Sequence, residues 1–323
     1  MTDTAFPDID PSASTRWLMV PGDWRRPGNA ERFEILWEAP RAYGQIWPRP
    51  GPAEVAAYYD VDDYYTHGAG AAPEPPPGLA QRLMTRIAWK GDTGSEADRQ
   101  WWARLLGDQA RDILDIGCGS GKNLSTLAAL GHRAVGVEPD PDARAVARAA
   151  GHEVHAGSAE ALPPELTARR FDLVVFMHVL EHCIAPLAAM HNATGLLRDG
   201  GMIVAEVPNN ACLGATRFGI LWHWLDVPRH LNFFTAPSLG ALFGAAGLEI
   251  AETAHCGYVR QFSADWKATQ TEIARRLGVP GHAIPTERAY WRYLAATLRS
   301  EPSKKYDSVR MVGRLRTARD EDR

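Results

Sequence analysis

Residues 112 to 123 read DILDIGCGSGKN. An apolar run, ILDI, is followed by three glycines at alternate positions, Gly117, Gly119 and Gly121. Glycine reaches positive φ without steric cost and lets a ligand come close to the backbone. A glycine turn between a strand and a helix belongs to open α/β sheets, which bind ligands beyond the carboxyl ends of their strands. The chain that follows keeps to this plan. Lys122 to Leu130 reads as a helix stopped by Gly131, AVGVE (134–138) as a second strand, and Asp140 to Ala150 as a helix stopped by Gly151. EVHAG is a third strand, and FDLVVFM (171–177) is a fourth, apolar on both faces as a buried parallel strand should be. A helix from Pro186 to Leu197, a strand from Met202 to Val207, a helix from Ser238 to Ala246 and a strand from Leu248 to Ala254 continue the alternation. This pattern predicts a doubly wound, mostly parallel, Rossmann-like α/β sheet. Two amphipathic helices, Phe262 to Leu277 and Thr286 to Arg299, precede a last strand, Ser308 to Leu315, expected antiparallel at the sheet edge.

The first 75 residues are rich in Pro, Trp and Tyr, with short strands such as Arg32 to Trp37. GAGAAPEPPPG (68–78) reads as a linker or a stiff extended crossover. Helices are expected over Leu79 to Trp89 and Ser95 to Leu106, the second capped by Ser95. The expected organisation is a lid or cap over 1–75, a ligand-binding core over 76–257, a helical insertion over 258–305, and the last strand and tail over 306–323. The insertion suits a cover over a second substrate or a homodimer face.

Net charge is −4 and no long basic run occurs, which argues against a nucleic-acid partner. The most basic stretch, Arg310 to Arg319, reads as a terminal strand and solvated tail. The four cysteines, Cys118, Cys183, Cys212 and Cys256, share no CxxC spacing and read as reduced thiols. No signal peptide and no membrane-spanning run is seen, so a cytoplasmic location is expected.

Two cofactor classes use a glycine turn of this kind. Dinucleotides require G-x-G-x-x-G. Counted from Gly117 the third glycine should be residue 122, which is Lys122; counted from Gly119 it should be 124, which is Leu124. The spacing fails in both frames. What stands is D-x-G-x-G-x-G, led by Asp115. Here the sequence resembles the class I S-adenosylmethionine (SAM)-dependent methyltransferases, from about Asp112 to Thr253. LDIGCGSG resembles their glycine loop, and GVEPD places Glu138 where the family's acid binds both ribose hydroxyls. GSAEALP (157–163) matches the adenine segment, and FDLVVFMHVLEH and LLRDGGMIVAEVPN match the fourth and fifth strands with their flanks.

The resemblance implies a seven-stranded methyltransferase sheet and a SAM site of Asp115, Gly117, Cys118, Gly119, Gly121, Asn123, Glu138, Pro139, Ser158, Ala159, Glu160, Met177 and His178, with S-adenosylhomocysteine as product. Many relatives carry Asp where this chain has Ser158 and Ala159, so Glu160 or backbone groups are expected to hold the adenine. HVLEH (178–182) and DVPRHLNFFT (226–235) resemble a narrower group acting on quinones, sugars and natural products. Some of its members have an N-terminal zinc ribbon. LWEAPRAYGQIWPRP and EVAAYYDVDDYYTH keep a similar frame with no cysteine left, which implies a metal-free cap, with Tyr64 and Tyr65 closing over the methionine end of SAM.

Methyl transfer from a sulfonium needs alignment above all, and a base when the acceptor is a hydroxyl or a protonated amine. His178, His182 and His230 are the candidate bases or substrate contacts. Asp226 and Arg229 either orient His230 or pair with each other. His223, between Trp222 and Trp224, belongs to an aromatic patch that lines an acceptor pocket or fills the core. No His, Asp or Glu spacing points to a metal. The expected activity is methylation of a small-molecule acceptor, first on oxygen of a sugar-like or natural-product metabolite. N- or C-methylation, another SAM-dependent displacement, and a non-catalytic SAM-binding subunit are the alternatives.

Overall fold

The computed structural model describes residues 6–28, 31–59, 78–94 and 96–315. Three strands come first: β1 (Thr15–Val20), β2 (Phe33–Glu38) and β3 (Tyr43–Trp47). Three helices follow: α1 (Pro52–Tyr58), α2 (Leu79–Gly91) and α3 (Arg99–Leu106). The alternating region then runs β4 (Asp112–Ile116), α4 (Lys122–Ala129), β5 (Arg133–Glu138), α5 (Pro141–Ala149), β6 (Glu153–Ala156), β7 (Phe171–Met177), α6 (Pro186–Thr194) and β8 (Leu197–Pro208). After α7 (Leu213–Phe218) and the short β9 (Asn232–Phe233) come α8 (Ala236–Ala245) and β10 (Leu248–Cys256). The chain ends with α9 (Ala264–Arg276), α10 (Glu287–Thr297), α11 (Pro302–Lys305) and β11 (Ser308–Leu315).

The main sheet has the order β10-β11-β8-β7-β4-β5-β6. Pairings among β4 to β8 are parallel, and β11 is antiparallel to both neighbours. The last strand was expected at the edge; it lies one place in, between β8 and β10, so β10 is the edge. Alternate residues of the central strands feed opposite layers. Leu114, Val174 and Phe176 face the layer of α6 and α8, while Ile113, Leu173 and Val175 pack with Trp101 and Trp102 of α3 and Leu127 of α4. Leu173 to Phe176 are fully buried, which is why this strand reads as an unbroken apolar run.

Helix starts follow capping chemistry. The Asp140 carboxylate accepts from the N–H of Asp142 and Ala143, with Pro141 opening α5. α3 begins later than expected, because Asp98 and not Ser95 caps it, accepting from Trp101 N–H. Ser95 lies outside the described residues.

The stretch that resembles a cysteine-free zinc-ribbon frame is the β2–β3 hairpin. With β1 and β9 it forms an antiparallel sheet in the order β1-β2-β3-β9. Since β9 lies at 232–233, the N-terminal segment shares its sheet with a loop of the core. One apolar cluster joins Val20, Phe33 and Ile35 of this sheet to Trp222, Trp266, Tyr290 and Tyr293. The apolar faces of α9 and α10 are thus used within the chain, against the N-terminal sheet. Tyr64 and Tyr65 lie outside the described residues.

Candidate active site

The glycine turn ends β4 and opens α4. Gly117, Gly119 and Gly121 have φ of 70, 53 and 85°, so this backbone is closed to most side chains. A Cβ on Gly117 would meet Val179 Cγ2 at 2.5 Å. Two acids lie beneath the turn. Glu138, at the end of β5, accepts from Gly119 N–H at 2.8 Å and Asp140 N–H at 2.9 Å. Burial raises its pKa, against those two hydrogen bonds. Asp115 is fully buried, and neither carboxylate oxygen takes a well-aligned hydrogen bond. Burial first, and the Glu138 charge second, push its pKa up to about 7, with the nearby Asn123 side chain acting the other way.

Two buried carboxylates at a helix-opening turn repel the phosphates of a dinucleotide. They suit a ligand that brings donors and positive charge. SAM has an ammonium group, a ribose diol and a sulfonium, and the residues present fit it: Asp115 has only the Asn123 side chain nearby and no well-aligned donor, and each Glu138 oxygen keeps a further lone pair. Beside the turn, Asn123, Met177 and Glu206 line an open cleft of about 610 Å³. Pro139 follows Glu138, and its carbonyl accepts from Arg144. Cys118 packs with Leu124, Ala147 and Val154, and burial raises its thiol pKa. That is a packing role. Among the segments expected at the adenine, Ala159 is buried and Ser158 Oγ accepts from Ala161 N–H at 3.1 Å. Glu160 is engaged elsewhere: its carboxylate accepts from the N–H of Ile184 and Ala185 at the start of α6. Of the two expected sources of adenine contact, Glu160 or backbone groups, the carboxylate of Glu160 is already occupied by these two N–H groups.

β7 delivers His178 at its carboxyl end, with φ of 57°. Its Nδ1 is 3.3 Å from Glu181 Oε1 and its Nε2 3.4 Å from Glu206 Oε1. Burial alone would depress the pKa of His178; the two carboxylates outweigh it and push it up to about 9. With a carboxylate at each ring nitrogen the imidazolium is favoured, which weighs against the base role expected from the sequence and towards the alternative of a substrate contact. Glu206 also pairs with buried Arg310 at 3.2 Å, and its pKa falls to about 2. Trp224 stacks on His178 at 4.8 Å and 9°.

The turn Leu180–His182 meets the loop that follows α7. His182 Nδ1 lies 3.1 Å from the Arg229 carbonyl and 2.9 Å from the Tyr59 hydroxyl. His230 Nδ1 lies 2.7 Å from the Trp224 carbonyl. The two rings meet edge to face at 4.6 Å. Burial holds the His230 pKa down at about 4, so this ring is neutral at pH 7. Ligating atoms of Glu181, His182 and His230 all lie within 4.8 Å of one another. Asn232 fastens this junction: its Nδ2 donates to the Cys183 carbonyl at 2.6 Å, and its Oδ1 accepts from Tyr43 at 2.6 Å.

Asp226 and Arg229 pair with each other and with Asp23 and Arg25 in a buried group that pins the N-terminal segment to this loop. Trp222 is 1% exposed and the half-buried His223 packs on Trp266 at 4.6 Å, so both join the aromatic core shared with the N-terminal sheet. Sequence reading passed over Glu181, Glu206, Tyr59 and Asn232. The acid inside HVLEH was the available signal for Glu181.

A family profile described as a methyltransferase domain matches residues 93–253. A ubiquinone biosynthesis O-methyltransferase of Methylobacterium is 31% identical over 170 residues, covering 49% of this chain and 67% of its own. One from Azorhizobium caulinodans is 30% identical over 175 residues, covering 50% and 68%. A solved structure from Bacillus halodurans, assigned as a methyltransferase, superposes with a TM-score of 0.50 at 20% identity, covering 69% of this chain and all of that one. The chain belongs to the class I SAM-dependent methyltransferases. Within that class it is an enzyme of the small-molecule group, with SAM as its cofactor. Among the described residues no helix is long and apolar enough to cross a membrane.

Proposed function

We propose that the protein methylates an oxygen of a small hydroxylated acceptor, of the sugar-like or natural-product kind. The observation that supports this reading is the group of lone pairs offered by Glu181, His182 and His230 beside the cofactor turn, which suits an incoming O–H. The relatives named for oxygen methylation in ubiquinone biosynthesis point the same way. When bound, SAM supplies an electrophilic methyl on a sulfonium, displaced in line with the sulfur keeping the electron pair. The chain does the positioning, which contributes about 7–11 kcal/mol in well-oriented systems. Asp115 and Glu138 hold the donors of the cofactor, His178 holds its own proton between two acids, and the Glu181, His182 and His230 group receives the acceptor hydroxyl, whose proton is lost as the O–CH₃ bond forms.

The test is SAM calorimetry on the wild type and Glu138→Ala, followed by S-adenosylhomocysteine release with panels of hydroxylated and amino compounds. Micromolar binding that the variant loses, and turnover confined to hydroxylated compounds, are expected. Turnover on amines alone overturns the oxygen assignment.

A further inference from the structure

The lone pairs at the end of β7 outnumber what one acceptor hydroxyl can satisfy. A backbone carbonyl only accepts, so the contact with Arg229 assigns the ring hydrogen of His182 to Nδ1, and the contact with Trp224 assigns that of His230 likewise. Nε2 of each ring is then a bare lone pair. Glu181 is 1% exposed, and neither of its oxygens takes a well-aligned hydrogen bond. His178 touches only Oε1, in an ion-pair contact. One ligating atom each of Glu181, His182 and His230 lies within 4.8 Å of the others, so a buried carboxylate and two rings that each keep a bare nitrogen come together here. A hydroxyl brings one hydrogen to this cluster, which leaves the other acceptors unsatisfied at a cost of about 1–3 kcal/mol each.

Each ring is also held as a metal ligand is held. The second nitrogen of His230 is fixed by a backbone carbonyl, and that of His182 by a carbonyl and a phenol. Such outer partners set ring orientation and raise ligand basicity. Two imidazoles and one carboxylate form a zinc-type donor set that keeps an open coordination position, and the two nitrogens disfavour magnesium and calcium. An ion about 2.0–2.2 Å from each donor wants them ~3.4 Å apart, so binding draws the three groups closer than their present spread of up to 4.8 Å.

We propose that Glu181, His182 and His230 bind one divalent transition-metal ion of the zinc class, which takes an oxygen of the acceptor as its further ligand. The second clause rests on the oxygen-methylation reading; the first does not. The ion would lower the pKa of that hydroxyl, whose proton leaves to solvent before the O–CH₃ bond forms.

The full chain, stripped with a chelator and desalted, is titrated with Zn²⁺ against a chromophoric competitor and with Co²⁺ followed in the visible. SAM calorimetry is run on the same samples. One ion per chain at micromolar concentration or below is expected, with Co²⁺ bands of a four- or five-coordinate nitrogen–oxygen site. Glu181→Gln and His230→Gln should each weaken Zn²⁺ binding about tenfold or more while keeping the wild-type circular dichroism. Absence of uptake by the wild type, or full affinity in Glu181→Gln, overturns the site. If a variant does not fold, the wild-type Co²⁺ spectrum decides. SAM binding without metal uptake removes the metal site and leaves oxygen methylation standing. Metal uptake with turnover only on amines does the reverse.

Discussion

The Arg229 guanidinium grips the Asp23 carboxylate with two parallel hydrogen bonds, 2.9 and 2.7 Å, across 206 residues of sequence, and neither side chain is exposed to solvent. This bidentate pair joins the N-terminal segment to the loop that carries His230. Burial disfavours the charged form of Arg229, but Asp226 and Asp23 more than compensate, and the guanidinium stays charged. Removing one partner of such a pair strands a buried charge and costs about 3–5 kcal/mol. Asp23→Ala should lose stability of that order, read as a fall in the urea midpoint with unchanged slope. A loss below about 1 kcal/mol would mean that Asp226 carries Arg229 alone.

Two glycines of the same turn should respond differently to alanine. At Gly117 the new Cβ meets Val179 at 2.5 Å, whereas at Gly119 nothing lies within 4 Å. Both pay left-handed strain of about 1–2 kcal/mol, but only Gly117→Ala adds a clash that displaces Val179 and the HVLEH turn. Thermal unfolding should therefore rank Gly117→Ala well below Gly119→Ala. Gly119→Ala should keep its fold and show its main defect in SAM affinity by calorimetry.

Asp115 makes the SAM-free protein sensitive to pH. Its folded pKa is raised from 3.8 to about 7, so between those values the native state binds more protons than the unfolded one. Stability from this group is present below about pH 4 and is lost as pH rises towards 7. Asp115→Asn should therefore unfold at higher urea than the wild type at pH 8, with the gap closing near pH 4, while binding SAM more weakly. Equal stability at pH 8 would show that the carboxylate finds a donor without the cofactor. Binding of SAM near pH 6 should release a proton, seen as heats that scale with buffer ionisation enthalpy.

His178 separates two acids whose side chains are 1% and 5% exposed. His178→Ala leaves Glu181 and Glu206 without their shared cation, and only Glu206 retains Arg310. Destabilisation of about 3–5 kcal/mol is expected by chemical denaturation at neutral pH. A near-neutral result would show that Arg310 and solvent suffice for both.

The alternating half of the fold was legible because each strand there is a local apolar run with a glycine-terminated helix beside it. Leu173 to Phe176 are buried on both faces, and no other structure accommodates that pattern so simply. The place of β11 was not legible, since strand order is a long-range fact: Val309 pairs with Val207 and His255 at once. The same holds for β9, two residues with no strand signal of their own, recruited by Gly44 and Gln45 of β3. That Asp115 and Glu138 lie together beneath the glycine turn could be read from their positions along their strands. Glu160 could not, because its carboxylate goes to the start of a helix 24 residues on. His178 was readable as a site residue but not as an imidazolium, which depends on Glu206 arriving from another strand.

The union of β3 with β9 bears on modularity. Tyr43 and Gln45 of the first 50 residues reach the Asn232 side chain, and that side chain also holds Cys183, next to the candidate ligands. The cap is therefore no interchangeable module. A chimaera that exchanges residues 1–59 for those of a relative must carry the matching 226–235 segment with it. Otherwise it exchanges a hinge partner and receives an orphaned sheet edge. Recombination across this family should accordingly find its viable crossover points in pairs.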